Sequence, residues 1–134
     1  MNYLYVGMGG ILGALARFCL GTAIQRITVT AFPYGTLTVN LLGSFLLGFI
    51  TYGSLLKWQL PRPYVLAINT GIIGSFTTFS TFSVDTISLL EKAHYTAAWS
   101  YVLVSITGGL ALAWLGIGLA HRLFINVKIR GDNQ

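Results

Sequence analysis

Charge is what this chain has least of. Its eight basic and three acidic residues make up 8% of 134 positions, while 54% of the residues are hydrophobic. Soluble domains carry about 25% charged residues, so this chain has too little polar material to cover a water-facing surface. The apolar residues gather into four runs, 3–23, 36–56, 64–90 and 97–120. As a helix, each is long enough to cross the roughly 30 Å hydrocarbon layer, which takes about 20 residues. Arg17 and Asp85 are the charges inside them. The expected fold is an all-α membrane protein: one domain over residues 1–134 with four transmembrane helices and a polar, frayed tail at 126–134.

The other scarcities exclude further classes. With Cys19 alone, no disulfide forms within one chain, and the thiol reads as a small packing residue. The first run begins apolar, carries Arg17 near its far end and is followed by three more runs, unlike a cleaved signal peptide. The runs are uniformly apolar, without the alternation of a membrane barrel. No nucleophile–base pair or metal-ligand cluster is present to suggest an enzyme, and His94 and His121 both fall at helix ends. The net charge of +5 does not indicate nucleic-acid binding, because the basic residues sit at segment ends and in loops. Four spans with both termini on one side place Lys57, Arg62, Arg122, Lys128 and Arg130 on that side and Arg26 and Lys92 on the other. The positive-inside rule then favours cytoplasmic termini, but only by a narrow margin. The first run also lacks the carboxylate that a four-span proton-coupled multidrug antiporter needs, leaving Asp85 as its one candidate. A non-transporting scaffold subunit, with its polar residues serving only to join helices, is the other alternative.

What the chain does have is glycine and uncharged polar residues within the apolar runs. Its 16 glycines include Gly9 and Gly13 in the first run and Gly43 and Gly48, beside Ser44, in the second; Gly109 and Ala113 do the same for the fourth. Small residues let helices approach closely in lipid, either within one chain or across an oligomer interface. Four helices pack without a central void, so a transport path through so small a chain calls for a second copy. The weak charge bias leaves an inverted partner open. Asn40 lies inside the second run, one helical turn after Thr36, and lipid cannot satisfy its amide.

The third run is the most polar. It holds Asn69 and Thr70, then the stretch GSFTTFSTFS from Gly74 to Ser83. Hydroxyls on all sides of a helix cannot all face partners, and glycines with a hydroxyl run weaken helix. A break is expected near Gly74–Thr78, and irregular backbone at that depth belongs where it is buried or lines a cavity. Phe79 and Phe82, with Phe76 before them, share a helix face. The simplest reading is a packing or lipid-facing stripe. A second reading uses the positive edge of the phenyl ring. Ring edges beside hydroxyl and amide donors, with no cation to trap the ion, suit a weakly held small anion. Tyr101 and Ser105, one turn apart in the fourth run, add a further polar track.

These residues also carry a family resemblance. Gly35-Thr36-Leu37-Thr38-Val39-Asn40-Leu41-Leu42-Gly43-Ser44-Phe45 and GSFTTFSTFS, together with Gly13-Ala14-Leu15-Ala16-Arg17-Phe18, resemble the Fluc (CrcB) fluoride channels over essentially the whole chain. The resemblance implies an antiparallel, dual-topology homodimer in a prokaryotic inner membrane. Two pores would pass fluoride and reject chloride, lowering fluoride toxicity. Matched residue by residue, it implies Phe79, Phe82 and Asn40 in the pore, with Ser80 and Thr81 as the hydroxyl pair and Tyr101 and Ser105 as the fourth-helix track. It further implies that the carbonyls of Gly74 and Thr77 from both copies surround a structural Na+. Ser75 stands where many members carry a second glycine.

Overall fold

The computed structural model describes residues 2–58 and 60–131. The described residues are helical almost throughout. Helix α1 covers Asn2–Thr28, and α2 covers Tyr34–Gly53 and continues through a π-helical turn at Ser54–Trp58. The third span starts as α3, Arg62–Leu66, winds as a π-helix over Ala67–Ile73 and returns to α-helix in α4, Gly74–Phe76. Helix α5, Phe79–Glu91, follows, and α6 runs over Tyr95–Gly131. Four helical stretches are long and apolar enough to cross a membrane: Tyr3–Thr28, Tyr34–Leu56, Pro63–Glu91 and Tyr95–Ile125.

Each boundary has a local cause. Pro33 precedes α2, and Pro61 and Pro63 bracket the start of α3, where a missing N–H costs nothing. The link between α1 and α2 is held by Gln25, whose Nε2 donates to the carbonyls of Thr30 (3.0 Å) and Phe32 (3.2 Å) while its Oε1 accepts from the Gly35 N–H (3.2 Å). Helix α5 ends with Ala93 at φ 58°, and the His94 N–H reaches back to the Leu89 carbonyl at 2.9 Å. At 37 residues, α6 is about 55 Å long, more than a bilayer requires. The sequence suggests a frayed tail from 126, but the backbone stays helical to Gly131. No glycine or proline lies between Gly118 and Gly131 to stop it. Residues 132–134, and the side chains of Lys57, Arg62, Lys128 and Arg130 on which much of the charge bias rests, lie outside the described residues.

Close backbone approach at glycine sets the helix crossings. Added Cβ atoms at Gly9 and Gly13 would strike the carbonyls of Ala67 and Ile72, and one at Gly71 the Val6 carbonyl, so α1 lies directly against the π-helical segment. Helix α2 meets α6 in the same way, Gly48 against Ala113 and Gly116 against Phe45. Intrachain packing therefore accounts for the small-residue pairs of the first two runs. A compact cluster of Leu37, Leu89, Ala98 and Tyr101, backed by Phe82 and Leu41, ties α5 and α6 to α2. Large apolar side chains such as Phe18, Ile27, Trp99 and Trp114 stand exposed, as suits helices in lipid.

Candidate functional site

The site forms where α4 ends. Thr77 (φ −77°, ψ 157°) and Thr78 (φ −149°, ψ 121°) are extended, between two helices on the same span. The Thr78 N–H, which would continue the ladder to the Gly74 carbonyl, donates instead to Asn40 Oδ1 at 2.8 Å. Asn40 Nδ2 donates in return to the Thr78 carbonyl at 2.9 Å. One side-chain amide on α2 thus satisfies both backbone groups of an extended residue far from water, where an unmet group is costly. The Thr78 side chain then caps α5 by accepting from the Thr81 N–H at 3.2 Å. That bond takes the donor that would otherwise serve the Thr77 carbonyl. Both carbonyls expected to face a cation, those of Gly74 and Thr77, have therefore lost their helical donors to side chains. Gly43 lies so close to the Thr77 methyl that a Cβ there would overlap it.

Several sequence-predicted residues meet around this point. A cavity of about 350 Å³ is lined by Asn40, Ser44, Thr77, Thr78, Phe79, Phe82 and Ser105 among others. No charged side chain lines it. The rings of Phe79 and Phe82 have centroids 5.8 Å apart, and Phe82 in turn lies 5.1 Å from Tyr101. Phe79 is 80% exposed, so its outer side is open in a single chain. Ser105 Oγ is buried and has no hydrogen-bond partner among the described residues. Tyr101 is fully buried, and its hydroxyl donates to Asp85 Oδ2 at 3.5 Å.

A second cavity of about 500 Å³ lies on the other side of Thr78, between α1 and α2. Arg17, Arg26, Thr22, Thr36 and Thr81 are among its lining residues, and no acidic residue is. Asn40 and Thr36 thus serve different cavities despite sharing a face of α2, because one turn separates them by about 6 Å along the axis. Thr78 lines both cavities. Ser80 and Thr81 are exposed, with their hydroxyls 3.2 and 3.1 Å from Thr78 Oγ1. Not every polar residue of the third span joins this site. Asn69 Nδ2 donates to Thr51 Oγ1 at 3.1 Å, which ties the π-helical segment to α2.

Sequence reasoning missed the central part of Thr78. Its signal was present: a mid-membrane asparagine needs partners, and a helix break supplies a free N–H and a free carbonyl side by side. Among the described residues, no three His, Cys, Asp or Glu side chains converge.

Known proteins supply independent comparisons. The family model described as CrcB-like protein, Camphor Resistance (CrcB), matches residues 4–117. Fluoride-specific ion channel FluC 1 of Bacillus cereus (strain ATCC 10987 / NRS 248) is 44% identical over 131 residues, covering 98% of this chain and 96% of the relative. Fluoride-specific ion channel FluC 2 of Moorella thermoacetica is 46% identical over 124 residues, 92% of this chain and 100% of the relative. Fluoride-specific ion channel FluC of Syntrophotalea carbinolica is 42% identical over 123 residues, with the same two shares. With a family model matching most of its length and relatives this similar end to end, the chain belongs to the CrcB family.

Proposed function

We propose that the protein is a fluoride-selective channel that lets cytoplasmic fluoride leave the cell by passive electrodiffusion and so lowers its toxicity. The observation that carries this reading is the uncharged cavity bringing Asn40, Phe79, Phe82 and Ser105 together, in a chain whose close relatives are named fluoride-specific channels. The protein is a multi-pass membrane protein of the bacterial inner membrane, and its work is transport, not catalysis. A proton-coupled multidrug antiporter is not supported. Its exchange step needs a carboxylate in the path, and Asp85, the one acid in the expected spans, is engaged by the buried Tyr101 hydroxyl.

The chemistry follows from what lines the path. The cavity that holds Arg17 and Arg26 forms one mouth of the path, where positive charge raises the local anion concentration. Inside, water is replaced by the hydroxyls of Ser80, Thr81 and Ser105, the free N–H of the Asn40 amide, and the ring edges of Phe79 and Phe82. Tyr101 completes the track beside Phe82. None of these groups carries a charge, so the ion is held firmly enough to enter and loosely enough to leave.

The proposal extends to assembly. Phe79 leaves a pore wall open to the outside of one chain, and a second, inverted copy would close it. The extended pair at Thr77 and Thr78 is read as a functional break in the third membrane helix. The freed Gly74 and Thr77 carbonyls of two copies would together offer four oxygens to a structural Na+, which neutralises the carbonyl dipoles and fixes the two chains against each other. Fluoride efflux from proteoliposomes holding the purified protein tests the reading: selective efflux supports it, and its absence overturns it.

A further inference from the structure

Thr78 has a role in the path that none of the pore residues above supplies. The residue is 8% exposed, and its Oγ1 makes three contacts. It accepts from the Thr81 N–H at 3.2 Å, and it lies 3.2 Å from Ser80 Oγ and 3.1 Å from Thr81 Oγ1. In each hydroxyl–hydroxyl contact either oxygen can donate.

Hydroxyl stoichiometry restricts the choices. A hydroxyl has one proton and two lone pairs. The backbone N–H occupies one lone pair of Thr78, so Thr78 cannot accept from both neighbouring hydroxyls. It must accept from one and donate to the other. Two arrangements remain. In one, Ser80 donates to Thr78 and Thr78 donates to Thr81, which leaves the Thr81 proton free. In the other, both bonds reverse and the Ser80 proton is free. In either case a single O–H of the triad is available to an outside acceptor.

We infer that Thr78 is a positioning residue for conduction: through its hydroxyl, the triad offers one donor at a time, alternately from Thr81 and from Ser80. The inference rests on the channel reading. Thr81 lines the cavity that holds Arg17 and Arg26, while Thr78 also lines the cavity of Asn40, Phe79 and Phe82. An anion at Thr81 draws that proton outward. When the two bonds reverse, Ser80, which is exposed and lines neither cavity, presents its proton instead. The triad exchanges its one free donor by hydroxyl rotation alone, without movement of the backbone that Asn40 clamps, so an anion at Thr81 can be released as readily as it is bound. The Asn40 clamp contributes by fixing Thr78 between the two hydroxyls.

Unitary fluoride current in planar bilayers tests this, because loss of the α5 cap alone would reduce the number of working channels and not the current through each. Thr78→Val keeps the shape and removes the hydroxyl; its unitary current is expected to fall about tenfold, the effect of a misplaced hydrogen bond to an ion. Thr78→Ser restores the triad and is expected to conduct within about twofold of the wild type. A Thr78→Val current equal to the wild type overturns the inference. If that variant does not assemble, Ser80→Ala, Thr81→Ala and the double variant decide. Coupled effects on unitary current support the triad, and additive effects overturn it. Absence of fluoride current in the wild type would instead remove the channel reading itself.

Discussion

Asn40 commits both ends of its amide to the Thr78 backbone, at 2.8 and 2.9 Å, and still keeps one N–H to offer an anion. Asn40→Asp separates these tasks. The carboxylate still accepts from the Thr78 N–H, but it cannot donate to the Thr78 carbonyl, and it places negative charge in the anion path. Fluoride efflux is expected to fall by about 100-fold or more while the protein remains folded; electrode-monitored efflux within about threefold of the wild type would contradict the role. At this scale the sequence was legible by residue type. Asn40, Phe79, Phe82 and Ser105, singled out as uncharged residues within the apolar runs, line one cavity. Which partner each residue takes was not legible. Asn40 reads from sequence as sharing a helix face with Thr36, which does not reveal that its bonds cross to Thr78, 38 residues away. Asp85 meets Tyr101 because α5 and α6 pack together, which no spacing along one helix reveals.

Elements are set by capping and by glycine contacts. The turn after α5 holds Ala93 at φ 58° and satisfies the helix end through the His94 N–H to the Leu89 carbonyl and the Ala93 N–H to the Leu90 carbonyl. A Cβ in that left-handed region costs about 1 kcal/mol. Ala93→Gly is therefore expected to raise the thermal midpoint in detergent, and Ala93→Val to lower it; the opposite order would contradict this turn geometry. Hydropathy made the four spans legible because membrane thickness demands a minimum apolar length. It could not show where α6 stops, since nothing in the sequence between Gly118 and Gly131 breaks a helix. Nor did it show the π-helical winding at Ala67–Ile73. That winding accompanies the contact of Gly71 with Val6 and of Gly9 with Ala67, a tertiary cause that a local pattern does not carry.

For the whole molecule, the claims concern orientation, assembly and selectivity. The narrow charge bias between the two sides predicts insertion both ways. A Cys19→Ser, His94→Cys protein carries one thiol in the loop between α5 and α6 and leaves the Lys and Arg balance unchanged, with His94 and the native Cys19 both exposed. An impermeant thiol reagent outside intact cells should label roughly half of it, because opposed orientations arise when the flanking charges are nearly balanced. Full labelling, or none, would contradict dual topology. The proposed assembly would cover the exposed ring of Phe79, and the proposed ion would meet the Ser105 hydroxyl, which has no partner among the described residues. The central claim is that an uncharged cavity of amide, hydroxyl and phenyl groups conducts fluoride selectively. Its most direct test is efflux from liposomes containing the purified protein and loaded with equal fluoride and chloride. The account predicts rapid fluoride release with chloride at the rate of protein-free liposomes; equal release of the two anions, or no fluoride release, would contradict it.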